Sequence, residues 1–395
     1  MSQTSDVVER VALRVEWITR LGEVDRLREP WMRLEAEVQH RTVYSTFDYV
    51  LSWYHEYGGS ASYQYGDPLV GMAWEGDKLV GIAPMAERNA TFGKVPLRRI
   101  DWAGTNLQAG ELLVQDGRRD VAARLIDALL ERKGWDVIVV FGDASSEQDL
   151  QRLKTSAAQR KMRTLDFGAQ SYAVGYLENG YEGYWNAQSQ NFRRNQKRIA
   201  KKVEEAGKWR MERLNCAGGT AAEDEAFSRL AEIAVKGWRV KVKGEAVERR
   251  HHGFYREVVR RFAPRGMIDL SFLTIDGKDV AFTLAILERQ IYWQILVAYD
   301  EKYEECSPGT FLLQQVFRAL PAAEIRRIVS HGGYEYKKRW ASEIVPETSV
   351  CVFSRSLRAS LSHLMRVRLL PLVERVQGRP YLHQHKHPPG HGGQH

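Results

Sequence analysis

One short pattern occurs twice, about 200 residues apart, and it limits the fold more than any other feature of the chain. Trp74-Glu75-Gly76-Asp77-Lys78-Leu79-Val80-Gly81 and Thr274-Ile275-Asp276-Gly277-Lys278-Asp279-Val280-Ala281 each set an acidic–glycine turn between apolar-rich runs. That combination is the local signal for a tight antiparallel hairpin. Around each hairpin the same order of elements recurs: helices before it, a further strand or two, a helix, and a closing strand. Hairpins joined by crossover helices predict a mixed, mostly antiparallel sheet flanked by helices, an α/β (α+β) class built twice.

In the first half the pattern predicts strands at Val11–Trp17, Leu69–Trp74, Lys78–Met85, Leu97–Trp102, Glu111–Val114 and Trp135–Phe141. Helices are expected over Leu21–Val38, Phe47–Tyr57, Asp120–Lys133 and Glu147–Lys161. The third of these has apolar residues at helical spacing (Val121, Leu125, Ile126, Leu129, Leu130) and Gly134 as its stop. In the second half strands are expected at Ser171–Leu177, Trp209–Leu214, Met267–Ile275, Asp279–Leu287, Ile291–Tyr299, Ile325–Ser330 and Thr348–Ser354. One long helix over Tyr181–Ala206 is expected, then helices Ala222–Trp238, Ala246–Phe262 and Pro308–Leu320, the last with proline in its first turn. This reading divides the chain into domains 1–170 and 171–355, followed by a basic segment and a His-rich tail over 356–395.

Charge separates the halves. Residues 1–180 carry 22 Lys and Arg against 26 Asp and Glu; the remainder of the chain's 58 and 50 is 36 against 24, a balance of +12. A basic second half attracts anionic ligands such as phosphorylated cofactors, acidic glycans, nucleic acid or lipid headgroups, without choosing among them. The three cysteines, Cys216, Cys306 and Cys351, are scattered and odd in number, so they suggest neither a disulfide framework nor a metal ligand set. No apolar run approaches the length of a membrane span and Met1–Arg10 is polar, so a cytoplasmic location is expected. There is no GxxxxGK[ST], no GxGxxG after a strand, no HExxH and no GxSxG. These absences argue against P-loop NTPases, simple dinucleotide oxidoreductases, zincin proteases and α/β hydrolases. The tail residues His383, His385, His387, His391 and His395 can bind divalent metal but have no rigid geometry for a catalytic ion.

Three segments are candidates for chemistry. At Ser307-Pro308-Gly309-Thr310 a helix follows a buried strand. Free N–H groups and the macrodipole at such a helix start bind anions, and Gly309 permits close approach of a ligand. On the helix around Asn191–Lys202, residues Arg194, Lys197, Arg198 and Lys201 share one stripe beside an apolar stripe of Trp185, Phe192 and Ile199. That basic stripe is either a solvated face or a surface for an anionic substrate. In Ser330-His331-Gly332-Gly333-Tyr334-Glu335-Tyr336-Lys337 two glycines turn the chain sharply beside a cluster of ionisable groups. Tyr336 is the candidate general acid, and either Glu335 or His331 the base.

With these residues in view, the chain resembles the CelD/BioF-like acetyltransferases of the GNAT fold, related to the FemAB aminoacyl transferases. The resemblance covers most of residues 40–355. It is carried by Trp185 with Arg193, Arg194, Asn195 and Arg198, by Trp238, and by the Asp276-Gly277 turn. Tyr299, Asp300 and Tyr303, the Ser-Pro-Gly at 307–309, and Gly332 or Gly333 with Tyr336 and Lys337 complete it. Two departures stand out: Glu304-Glu305 occupy the loop where the fold's pyrophosphate motif is usual, and Ser330-His331 stands where the family shows an acid before the last glycine.

The resemblance implies tandem GNAT domains, the C-terminal one binding acetyl-CoA or another acyl-CoA without a metal. Val297, Ala298, Ser307, Gly309 and Thr310 would hold the donor; Trp185, Arg194, Asn195, Trp238, Tyr299 and Lys337 would meet the substrate. The degenerate N-terminal copy would help shape the cleft, and the acceptor would be an amine or hydroxyl of an envelope- or polysaccharide-related molecule, attacking directly. Two other readings stay open: a FemAB-like aminoacyl-tRNA-dependent transferase, and a non-catalytic GNAT-like module that touches an envelope partner or membrane through Leu357–Val376.

Overall fold

The computed structural model describes residues 12–59, 66–92, 94–104, 110–215, 220–237, 245–321, 324–332 and 335–369. Cys216, Trp238, Gly333, Tyr334, the part of the basic segment after Leu369 and the His-rich tail lie outside those residues, as does the side chain of Glu335. The strands are β1 (Leu13–Ile18), β2 (Asp67–Glu75), β3 (Lys78–Phe92), β4 (Val95–Trp102), β5 (Leu113–Val114), β6 (Val137–Gly142), β7 (Arg163–Tyr176) and β8 (Trp209–Asn215). They continue with β9 (Ile268–Ile275), β10 (Lys278–Glu288), β11 (Ile291–Tyr299), β12 (Arg327–His331) and β13 (Glu343–Phe353). All join one sheet in the order β1-β2-β3-β4-β6-β13-β7-β12-β11-β10-β9-β8, with β5 on the side of β3.

That order is two similar halves meeting at the centre. Each half has one parallel pair, β4 with β6 and β11 with β12, in an otherwise antiparallel sheet. The last strand, β13, does not stay with its own half: it lies between β6 and β7. The boundary expected between residues 170 and 171 falls inside β7, whose 14 residues also exceed the short strand expected there.

The helices cover both faces. On one face α1 (Leu21–Val24), α2 (Arg28–Glu37), α3 (Phe47–Tyr57), α8 (Thr220–Ala234) and α9 (Glu245–Phe262) bury a continuous layer that includes Trp31, Trp53, Tyr57, Phe254, Phe272 and Phe282. On the other, α4 (Arg119–Glu131) and α5 (Glu147–Gln159) pack on the first half. There α6 (Gly180–Ala187), α7 (Gln190–Ala206) and α10 (Pro308–Ala319) pack on the second. The short α11 (Glu335–Trp340) has no counterpart in the sequence pattern, and α12 (Leu357–Leu364) follows the last strand.

The single long helix expected over Tyr181–Ala206 is broken. Gln188 is extended (φ −73°, ψ 151°), and Ser189 caps α7 by accepting from the Phe192 amide at 3.1 Å. The cap compensates for the orphan donors of the new helix start. From there Phe192, Gln196, Ile199 and Val203 are buried along one stripe. Burial of each apolar member contributes about 1.5–3 kcal/mol.

The hairpin turns differ in origin. Asp276 and Gly277 both have positive φ (50° and 76°), the conformation an Asp-Gly turn favours. The next turn, Arg289-Gln290, has positive φ at both residues (51° and 63°) without glycine. The compensation is tertiary: the Arg289 guanidinium donates to the Gln39 carbonyl at 2.7 Å, the Glu35 carbonyl at 2.8 Å and the Val38 carbonyl.

Candidate functional site

In the second half β11 and β12 run parallel only from Ile291↔Arg327 to Gln294↔Ser330. At that point β11 carries a bulge: Ala285 faces Gln294 and Leu284 faces Leu296, leaving Ile295 as the extra residue. A bulge bends its strand and ends regular pairing. The vertex is fastened by buried side chains. Ser330 Oγ donates to Gln294 Oε1 at 2.7 Å, and Gln294 Nε2 donates to Thr283 Oγ1 at 3.4 Å. Ser330→Ala would strip the buried Gln294 oxygen of its donor and is expected to cost about 1–3 kcal/mol, measurable by urea denaturation.

Beyond the vertex, Ile295–Tyr299 have a strand neighbour only on the β10 side among the described residues. This open edge leads directly to a helix start. Asp300 caps a 3₁₀ turn over Glu301–Cys306 by accepting from the Lys302 amide at 3.0 Å. Ser307 takes the left-handed conformation (φ 51°), and α10 begins at Pro308. A Cβ on Gly309 would lie 3.3 Å from the Tyr299 ring and 3.7 Å from Val297, so glycine lets the helix start close on the strand. Val297 and Tyr299 therefore lie against the helix start at Ser307, Gly309 and Thr310, whereas Ala298 packs into the core with α8 and α9. Burial, reinforced by Glu304 and Glu301, holds the Tyr299 hydroxyl above its ordinary range. The carboxylates of Glu304 and Glu305 are exposed, and the Glu305 carbonyl accepts from Lys202 of α7 at 3.1 Å.

The other candidates scatter. Trp185 stacks on Tyr181 (5.9 Å) and meets Phe192 edge-on (6.1 Å), a packing role under α6 and α7. Arg194 is exposed and donates to Asn191 at 3.0 Å; Asn195 receives Arg198 in the same way. Lys337, expected to meet an anionic group of donor or acceptor, is instead buried. Its ammonium donates to the His331 carbonyl, 6.0 Å from the Tyr336 ring. It ties α11 to the end of β12. Tyr336 is 37% exposed and does not line the cavity that His331 lines. The three proposed acid–base residues thus do not all converge.

His331 opens onto a feature that sequence reasoning missed. A cavity of about 540 Å³ lies where the two halves meet and enters the fork of the first half. There β4 and β6 pair only from Arg99↔Val137 to Asp101↔Val139 and then part. Trp102 spans the opening, its indole N–H donating to the Phe141 carbonyl at 3.1 Å. At one end the His331 ring stacks on Tyr172 (4.7 Å, 23° between planes) and meets Tyr44 edge-on at 4.7 Å. Tyr172 donates to Asp143 at 2.6 Å, and Asp143 also accepts from the Ser145 amide and hydroxyl at 2.8 and 2.5 Å. Burial works against the Asp143 charge, but the Ser145 and Tyr172 hydrogen bonds outweigh it and hold the carboxyl below its usual range.

Glu347, beside them on β13, is 5% exposed and one of its carboxyl oxygens has no hydrogen-bond partner. Burial, and then the nearby Asp143 carboxylate, push its pKa up to about 8. Glu111 is half-buried in the wall, accepting from the Thr42 amide (2.6 Å), the Thr42 hydroxyl (2.8 Å) and the Ser45 hydroxyl (2.7 Å). One signal in the sequence points here: Asp143-Ala-Ser-Ser follows the apolar run Val137–Phe141. Among the described residues no group of His, Cys, Asp and Glu is arranged to hold a metal ion. None of the described helices is long and apolar enough to cross a membrane. The described part of the basic segment leaves Leu357 90% and Leu361 50% exposed beside Arg358.

Residues 190–339 match the family model described as an acetyltransferase (GNAT) domain. In solved structures the chain is similar to FemX, at 10% identity and a TM-score of 0.55, covering 88% of this chain and 99% of that one. It is likewise similar to a conserved protein of unknown function from Bacteroides thetaiotaomicron VPI-5482, at 12% identity and a TM-score of 0.53, covering 86% and 100%. A tandem GNAT protein from the clavulanic acid biosynthesis pathway also matches, at 12% identity and a TM-score of 0.46, over 87% and 100%. A comparison with curated protein sequences finds no match. The fold is GNAT-type, two mostly antiparallel half-sheets joined into one and flanked by helices.

Proposed function

We propose that the chain transfers an acyl group, in the simplest case acetyl, from acyl-CoA to an amine or hydroxyl acceptor. The observation that carries this reading is the open edge of β11 after the Gln294/Ser330 vertex, running into the Gly309 helix start. Amides of a pantetheine arm are suited to pair with backbone groups of Ile295–Tyr299, and a pyrophosphate to the N-terminus of α10 around Ser307–Thr310. The acceptor approaches from the cavity side, where His331 ends β12. Its nitrogen or oxygen attacks the thioester carbonyl and the C–S bond breaks. The acceptor's proton passes to His331 or to water, and the CoA thiolate leaves, taking up a proton. An N–H beside the bulge at Ile295 is placed to steady the oxyanion. In this reading Tyr336 remains a candidate acid for the thiolate, and Glu335 an alternative base.

Thr310→Glu sets a carboxylate at the proposed phosphate end of α10. Acetyl-CoA binding, titrated calorimetrically, is expected to weaken at least 10-fold while the unliganded melting temperature stays within a degree. If wild-type protein does not bind acetyl-CoA at millimolar concentration, the CoA reading is wrong. The exposed stripe of Arg194, Lys197, Arg198 and Lys201 supports a second reading, an aminoacyl-tRNA donor. Tight tRNA binding that falls steeply with salt would favour that donor.

A further inference from the structure

The cavity is polar at one end and apolar at the other. On the polar side Glu347 and Asp143 face it with Tyr172 and His331; on the apolar side Leu125 and Leu129 of α4 and Leu150 and Leu153 of α5 line it. Phosphate is a poor occupant, because Asp143, Asp149, Glu111 and Glu347 all line the same space. Of its two arginines, Arg41 is already paired with Glu288 at 2.6 Å, and Arg327 is exposed to solvent. Glu347 is the decisive group: a carboxyl removed from water with one oxygen lacking a hydrogen-bond donor costs free energy that a cationic donor offsets. The apolar walls that continue past Trp102 into the fork favour a hydrocarbon body rather than a second charge.

We propose that this cavity, through the fork between β4 and β6, binds an amphiphilic primary amine, its ammonium on Glu347 and its apolar body between α4 and α5. That this amine is the acceptor rests on the acyltransferase reading above; the binding site itself does not. Asp143 lies close enough to Glu347 to perturb its carboxyl, so it adds to the negative field that receives the ammonium. The arrangement discriminates on two features at once, positive charge and apolar length.

The test uses the full chain without a donor and n-octylamine as the probe, with n-butylamine and octanoate as comparisons, at pH 7.5. Octylamine is expected to bind at least 10-fold more tightly than butylamine and to raise the melting temperature, with no response to octanoate. Glu347→Gln should weaken octylamine at least 10-fold. Leu129→Trp, which fills the apolar end, should bring octylamine down to the level of butylamine. A variant that fails to fold shows itself by its own melting curve, and the other then decides. Octanoate binding as well as octylamine, no octylamine binding to wild type, or octylamine affinity unchanged in both variants would overturn the proposal. Octylamine that binds but gains no acetyl group from acetyl-CoA supports the site and counts against the acyltransferase reading.

Discussion

Arg41→Met is expected to destabilise the protein by about 3–5 kcal/mol, the range for removing one partner of a buried ion pair. Arg41 makes a two-pronged contact with Glu288, at 2.6 and 3.0 Å, and its Nε donates to the Glu35 carbonyl at 3.1 Å. The two side chains are only 5% and 9% exposed. Without the guanidinium, Glu288 is left buried beside Glu35, whose own carboxyl burial already pushes up to about 7. Arg41 is one of the groups restraining that rise, and Glu288 one of those increasing it, so the variant leaves two carboxylates repelling each other. Methionine replaces the arginine stem and its packing, so the loss reports the charge rather than a cavity. The double variant Arg41→Met, Glu288→Met is expected to recover most of the stability, because an apolar pair incurs no desolvation of charge. Urea denaturation of the single and double variants checks both. A single-variant loss under about 1 kcal/mol, the range of an exposed ion pair, would mean that water reaches the pair. This contact also explains how the segment after α2 is held to the β10–β11 turn, and hence how the first half is held against the second.

What could be read from sequence divides by range. The Asp276-Gly277 and Gly76-Asp77 turns, and the helical spacing of Val121, Leu125 and Leu129, are local signals, and the structure has hairpins and a helix there. The Arg289-Gln290 turn carries no turn chemistry, because what stabilises it is a set of carbonyls some 250 residues away in sequence. The break at Gln188–Ser189 is legible in principle: serine before Phe192 is a capping signal, but the apolar stripe running through it reads as one helix. The place of β13 between β6 and β7 follows from pairings with two distant segments that no periodicity encodes. The same holds for the site. Gly309 and Tyr299 are near in sequence and are found together, whereas His331 gains its partner Tyr172, and Tyr172 in turn Asp143, only through the β7–β12 pairing and the fork of the other half. For Lys337 too, only the fold shows the ammonium turned onto the His331 carbonyl.

Glu347→Gln should stabilise the protein, and by more as the pH rises. The groups bearing on Glu347 are Asp143 on the β6–α5 turn, with Tyr172, His331 and Tyr44 on the surrounding cavity wall. Burial first, and Asp143 second, raise the Glu347 carboxyl from 4.5 to about 8. The folded protein therefore holds this proton more tightly than the unfolded chain does. The stability that this preference contributes is complete below about pH 4.5 and is lost as the pH climbs through about 8. Glutamine matches the shape of the protonated acid and has no proton to lose, so the gap between variant and wild type opens across that interval and levels off above it. Each tenfold gain in proton affinity on folding corresponds to about 1.4 kcal/mol, and partial hydration of the charged form reduces the total, so the gap at pH 9 is on the order of 2–5 kcal/mol. Glu35 and Glu111 are also raised by burial, but both are present in wild type and variant and largely cancel in the difference. Urea denaturation at pH 5, 7 and 9 measures it. Parallel stability curves over that range would mean that the Glu347 carboxylate is hydrated in solution. The cavity end would then be an open, watered mouth rather than a seat for an ammonium.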